Sequence, residues 1–356
     1  MKPILPLLLR RSLLASLLVP IISLSFSASA ADFMVDASQY SDPDNNIYST
    51  LEELVSSVAL VAGDTVILNN DDASLTTGLT VPVNFRSADP AALCAVDLSG
   101  LGKNPLYDLG AGEYTLEMDS VIWSKGAAGV IRTADDNVSL EITGEVQFLN
   151  NHVDNSNNSA YGGAIYMEGD HATLTLGNNV TFSGNYASSD SSSISTSSGG
   201  AIYMQGVNSF LTIRNGAIFT NNYSSTYGGA IYLQGITTDN SSRFLAFTHD
   251  VLFSGNMTGG TFTQHNDGSF SVVNGVANAI HVDGTNHLQL AAAQGKEVRF
   301  NDPITSAAYF SSTENVTLSL NQYTDDDGIS HTTDGTVIFS GELYQGDNAH
   351  LVASRY

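Results

Sequence analysis

Acids close to a basic residue are where this chain could do chemistry: Asp135 and Asp136 follow Arg132, Asp302 follows Arg299, and Asp325, Asp326 and Asp327 form a run. Two carboxyl groups flanking a sugar linkage, one protonated and one ionised, would make a glycoside hydrolase, and an acid beside a cation suits a polysaccharide lyase. Neither arrangement is completed. No repeated segment sets a cation and two acids on one strand face, and the last run leads into Gly328 and a turn. Asp42, Asp44, Asn46 and Glu53 are spaced like ligands of a calcium loop, but Ile47 stands where that loop needs glycine. Glu53 has another use, because Thr50-Leu51-Glu52-Glu53 reads as a helix capping box. The eight histidines are scattered, which argues against a zinc site. The glycine pairs Gly162-Gly163, Gly199-Gly200 and Gly228-Gly229 would cradle a phosphate only at the start of a helix, and none follows. The expectation is therefore no catalytic, metal or cofactor residue, and a polysaccharide lyase or glycoside hydrolase stands as the alternative.

Whatever positions these groups does so outside the cytosol. Lys2, Arg10 and Arg11 precede an apolar run from Leu13 to Leu24, and Ser27-Ala28-Ser29-Ala30-Ala31 supplies the small residues read by a signal peptidase. That apolar run is too short to span a bilayer, and no later segment approaches the ~20 apolar residues a transmembrane helix needs. The chain holds 12 Lys and Arg against 36 Asp and Glu, a net charge of −24, and three of the basic residues belong to the leader. Nucleic acid is excluded as a partner, because phosphate binding needs clustered cations. Charged residues nevertheless make up only 13% of the chain. Gly, Asn, Ser and Thr around short apolar runs fill the rest, a composition for turns and stacked strands. Cys94 is the single cysteine, so no internal disulfide forms and packing must hold the exported chain together.

Repeats set the fold. Gly162 to Asn185 and Gly199 to Asn222 align without a gap, each opening on Gly-Gly-Ala-Ile and closing on Phe-x-x-Asn. Ala128 to Asn151 is a degenerate copy, Gly228 to Asn256 a longer one, Ala277 to Asp302 a fifth, and Phe339 to Glu342 looks like a sixth ending. The linking stretches, residues 152–161, 186–198, 223–227 and 257–276, vary in length and are largely polar. Within the units Leu140 and Ile142, Leu174 and Leu176, and Leu211 and Ile213 alternate with polar residues, the period of a half-buried strand. Ile165, Met167, Val180 and Phe182 face inward, as do Ile202, Met204, Ala217 and Phe219 one unit on. Constant strands with variable loops at one edge predict an all-β, right-handed parallel β-helix, a pectin-lyase-like solenoid. A short capping helix near Thr50 to Ala62, stopped by Gly63, precedes the strand Asp64 to Leu68.

The motif residues are the corners of each coil. Phe148, Phe182, Phe219 and Phe253 end a strand, and Asn151, Asn185, Asn222 and Asn256, three residues on, stand where a left-handed residue is favoured. Their amides should stack along the axis as in other asparagine ladders. The glycines ahead of Ala164-Ile165, Ala201-Ile202 and Ala230-Ile231 permit the opposite bend and a close approach of layers. His281 takes the place of Tyr166, Tyr203 and Tyr232 in an outward aromatic row.

The alternation of Gly-Gly-Ala-Ile with Phe-x-x-Asn from about Ala128 to Glu342, with Ala291-Ala292-Ala293-Gln294-Gly295-Lys296-Glu297-Val298-Arg299-Phe300-Asn301-Asp302-Pro303-Ile304, resembles the repeat of the chlamydial polymorphic membrane proteins. The resemblance implies an autotransporter passenger, displayed at the outer membrane surface or secreted, that acts as an adhesin or structural module toward a host protein or glycan. It divides the chain into a signal peptide at 1–30, an N-terminal cap at 31–63, irregular first coils at 64–127, the repeat β-helix at 128–342 and a truncated end at 343–356. Members of that family continue into a C-terminal β-barrel, for which residues 343–356 are too few. An uncapped last coil would leave an open edge and favour self-association. N-terminal sequencing of the exported protein should begin at Ala31 or Asp32; a retained Met1 would contradict the leader.

Overall fold

A computed structural model describes residues 30–69, 73–154, 159–189, 196–234, 243–248, 250–283, 286–307, 316–324, 329–340, 344–345 and 352–354. The segment expected to be a signal peptide, apart from Ala30, and Asp325 to Asp327 lie outside the described residues. Four sheets, three of them long and parallel, wrap the chain into a β-helix. Sheet 1 has eight strands, from Tyr107–Leu109 to Tyr344–Gln345; sheet 2 has 12, including Asp32–Val35 and Val352–Ser354; sheet 3 has nine, from Ala73–Ser74 to Thr336–Phe339. Sheet 4 has five short strands, from His152–Asp154 to Val276–Ala277. One coil passes through Ile165–Met167, Thr173–Leu176, Val180–Ser183 and Tyr186–Ser188 in that order, one strand in each sheet.

Register follows the repeat. Ile165 pairs with Ile202, Leu174 with Leu211 and Phe182 with Phe219. The alternating apolar residues point into the coil, and Ile165, Leu174, Leu176, Val180 and Phe182 are fully buried. Phe148, Phe182, Phe219, Phe253 and Phe300 stack with centroids 4.8, 4.9, 4.7 and 4.7 Å apart and planes within 8° of parallel. That spacing is the separation of adjacent strands, about 4.8 Å, so neither ring nor backbone has to yield to the other.

The same sheets extend below the first recognisable repeat. Val121–Ser124 lies in register with Val146–Leu149, placing Trp123 where later coils have phenylalanine, and Tyr107–Leu109 pairs with Ile131–Thr133. Residues expected to form irregular coils thus carry regular strands under a different signature. The capping helix is shorter than its spacing suggests. It runs Leu51–Ser57, with the Glu53 amide donating to Thr50 Oγ1 at 3.1 Å. The β-branched Val58 is already extended. The Asp64 carboxylate then accepts from the Val61 and Ala31 amides at 2.8 and 2.9 Å, tying the chain to the first strands instead of a further helical turn. At the other end, Tyr344–Gln345 and Val352–Ser354 pair parallel to the preceding coil. No described helix is long and apolar enough to cross a membrane.

The corner itself corrects one expectation. The left-handed residue is not the motif asparagine but the one before it: Asn150 at φ 53°, Gly184 at 65°, Asn221 at 54° and Gly255 at 73°. Asparagine and glycine alternate there for a steric reason, since a Cβ on Gly184 would collide with Asn150 Oδ1, and one on Gly255 with Asn221 Oδ1. A second corner, Gly144, Asn179, Gly216 and Asp250, follows the same alternation, and a Cβ on Gly216 would strike Asn179 Oδ1. Gly184→Asn should therefore destabilise by about 1–3 kcal/mol through overpacking. Adding Asn150→Gly should restore most of that loss in thermal unfolding, and no rescue would contradict the alternation.

Candidate functional site

Burial forces the motif asparagines to satisfy one another. Asn151, Asn185, Asn222 and Asn256 are fully buried, and each Nδ2 donates to the side chain of the next coil: to Asn185 Oδ1 at 3.1 Å, Asn222 Oδ1 at 3.0 Å, Asn256 Oδ1 at 2.9 Å and Asp302 Oδ2 at 2.8 Å. Each Nδ2 also donates to a carbonyl one coil back, of Trp123, Phe148, Phe182 or Phe219. The Asn185, Asn222 and Asn256 oxygens accept the backbone amide of the preceding rung as well. Below the ladder Gly126 replaces asparagine and donates to Asn151 Oδ1 at 3.0 Å. Above it Asp302 ends the run, because its carboxylate only accepts, taking Gly255 N, Asn256 N and Asn256 Nδ2 at 2.9, 2.8 and 2.8 Å.

A second row lies on the outer side of sheet 1. Tyr203 and Tyr232 stack 5.0 Å apart and Tyr232 and His281 5.4 Å apart. Tyr166 donates to Gln205 at 3.2 Å, Tyr203 to Gln234, and Tyr232 to Asp283 at 2.8 Å. This row faces out of the solenoid but is not exposed. Tyr161 lies 4.4 Å from Tyr203, and Tyr227 lies 4.4 Å from His281, which is only 4% exposed. Removal from water pushes the Tyr166, Tyr203 and Tyr232 phenols well above their usual range, so they remain neutral donors. The same burial lowers His281 to about 4. Its Nδ1 meets Thr305 Oγ1 at 2.7 Å, and it stacks on Tyr227 and Tyr232.

A hairpin decorates the solenoid. Thr261–Gln264 and Phe270–Val273 pair antiparallel within the linker 257–276. Phe262 and Phe270 pack on Tyr186 and Tyr223 of sheet 4, at 4.9 to 5.7 Å between centroids. The hairpin lies back across earlier coils, with Gly268 at its tip over Lys125 and Asn150. Between hairpin and corner ridge runs a cleft of about 340 Å³, lined by Asn150, Ser183, Gly184, Asn221, Gly255 and Phe270 among others.

The acids singled out from the sequence do not converge. Asp302 belongs to the ladder, Asp135 accepts from the Ala111 amide at 3.1 Å, and Asp136 from the Asp170 amide at 2.8 Å. Arg132 pairs with Glu168 at 3.6 Å and lies over the Tyr166 ring, and Arg299 pairs with Glu297. Glu53 accepts from the Ser49 hydroxyl and amide at 2.8 and 3.2 Å as part of the helix cap. Among the described residues no three His, Cys, Asp or Glu side chains are grouped to hold a metal. The ladder is legible in the repeat, but Asp302 as its end is not, since Phe300-Asn301-Asp302 shortens the motif by one residue. Nor is the hairpin's foldback marked there, for which an aromatic in each hairpin strand, Phe262 and Phe270, was the available signal.

Against known families, residues 179–205 and 216–234 match the Chlamydia polymorphic membrane protein repeat. The first segment holds Phe182 to Asn185 and Gly199 to Ile202, the second Phe219 to Asn222 and Gly228 to Ile231, and the chain carries a polymorphic membrane protein-like repeat. No curated protein and no solved structure matches the chain.

Two measurements check the rungs. Asn185→Ala and Asn222→Ala should be non-additive in a double-mutant cycle by about 0.5–3 kcal/mol, since each strands groups on the other; strict additivity would count against the ladder. For His281, the unfolded chain takes up the proton first as pH falls. Its stabilising effect is full above about 6.5 and is lost as pH falls through 4. His281→Tyr, the residue of the neighbouring coils, should flatten the fall in unfolding temperature between pH 7 and 4.5, and an unchanged slope would place the acid sensitivity elsewhere.

Proposed function

We propose that the chain is a surface-displayed passenger of the cell envelope, a structural scaffold whose outer elements bind a partner outside the cell. The match to the polymorphic membrane protein repeat carries this reading. The architecture supports it. A stacked interior leaves little freedom to its buried side chains, whereas the linkers after sheet 4 vary from coil to coil, and loops on a rigid scaffold are where binding residues collect. A glycan-cleaving reading needs two carboxylates free to face one bond. Here Asp302 already accepts from three donors and Asp135 and Asp136 each accept from a backbone amide.

Beads coated with the full chain lacking only its leader provide the test. They should adhere to cultured epithelial cells above albumin-coated beads, and soluble protein should compete. Adherence equal to albumin, from protein with an intact strand-rich circular dichroism spectrum, would overturn the adhesive reading.

A further inference from the structure

The alternating corner has an outward consequence. Asn150 and Asn221 stand on the ridge two layers apart, with Gly184 between them and Gly255 beyond. Their Oδ1 atoms occupy the space that a Cβ on the next coil would take, and neither side-chain amide has a hydrogen-bond partner among the described residues. Layers repeat at about 4.8 Å, so the two carboxamides lie about 9.6 Å apart along the axis. The hairpin runs beside them as a second wall and contributes the Phe270 ring, Ser269 and Val272, and the ridge adds Ser183. None of the residues lining this cleft is charged, although the chain carries a net charge of −24.

We propose that this axial cleft binds a neutral, extended polysaccharide, a proposal that rests on the adhesive reading and names its ligand class. The lining offers carboxamides and hydroxyls, which both donate and accept, as sugar hydroxyls do in return. Phe270 supplies an apolar wall for the face of a pyranose ring. An anionic glycan would find no cation in the lining, Lys125 by the hairpin tip being paired with Asp97 at 2.8 Å, and would meet the field of an acidic protein. A β-strand peptide repeats its same-face side chains at about 6.7 Å, out of step with the amides. A polyproline helix repeats at about 9.3 Å and fits the spacing, yet proline offers acceptors alone and leaves the amide and hydroxyl oxygens unmatched. An extended β-1,4-linked glycan turns each ring over relative to the last, so equivalent hydroxyls recur every second ring, a length comparable to two layers of the solenoid.

Glycine already occupies the corner in alternate coils, so Asn150→Gly and Asn221→Gly remove the amides without disturbing the bend. Isothermal titration of the full chain lacking its leader against cellohexaose and chitohexaose should show binding by the unmodified protein. The double variant should bind at least tenfold more weakly with an unchanged unfolding temperature. A heparin hexasaccharide and a decaproline peptide serve as the other arms. The proposal is overturned if neither neutral hexasaccharide binds, if the double variant binds them as tightly as the parent, or if only decaproline or heparin binds in a way the double variant abolishes. Should the double variant lose stability, Asn221→Gly alone, at the more exposed site, must still weaken the neutral sugar several-fold. Cell adherence without sugar binding would remove this proposal and leave the adhesive reading, and sugar binding without adherence would do the reverse.

Discussion

From Asn151 to Asn256 each coil of this protein is held to the next by a buried carboxamide that must donate forward along the axis and accept from behind. A single coil buries too little to order its own chain, so its stability comes from its neighbours. The layer spacing of about 4.8 Å suits a hydrogen bond between identical amides and contact between identical flat rings. Once Asn185 sits under Asn222, Phe182 must sit under Phe219 and Leu174 under Leu211, because a slip of one residue would turn each strand's apolar face outward. The ladder also sets its own limits. It begins on a bare backbone amide at Gly126 and stops at Asp302, a carboxylate that accepts from the last asparagine and has nothing to pass on.

Identity inside leaves difference to the outside. Residues that leave sheet 4 are not bound by the register, and in the fourth repeat they make a hairpin that lies back over earlier coils on two phenylalanines. The left-handed corner lies between these regimes. Its left-handed backbone repeats from Asn150 to Gly255, but its side chains cannot, since an asparagine reaching over the next layer requires a glycine there. A one-layer repeat in the core thereby becomes a two-layer repeat on the ridge.

Much of this was legible in the residues because stacking copies sequence into space. Gap-free alignment of Gly162 to Asn185 with Gly199 to Asn222 is the register itself, and the alternation at Leu174 and Leu176 is the inward face. What escaped had causes of equal simplicity. Trp123-Ser124-Lys125-Gly126 makes the same bend as Phe-x-x-Asn with none of its letters, so the early coils looked irregular. The left-handed backbone belongs to the neighbour of the motif asparagine, and the residue types do not separate the two, because both positions favour asparagine, one for its amide and the other for its φ. The helical spacing past Ser57 was overridden by the Asp64 carboxylate, a contact made with residues distant in sequence. His281 stands in the outward row where its alignment puts it, yet it is buried, since Tyr227, which covers it, comes from a linker with no repeat to announce it.

The central claim is that one continuous, solvent-free amide ladder keeps the coils in register. Hydrogen exchange of the asparagine side-chain NH₂ groups, followed by NMR on protein labelled with ¹⁵N at asparagine alone, tests it most directly. Asn151, Asn185, Asn222 and Asn256 should exchange only with opening of the core, orders of magnitude more slowly than Asn150 and Asn221 on the ridge. Exchange of the four ladder amides at the rate of the ridge amides would show that the rungs are wet and that the register is held by something else.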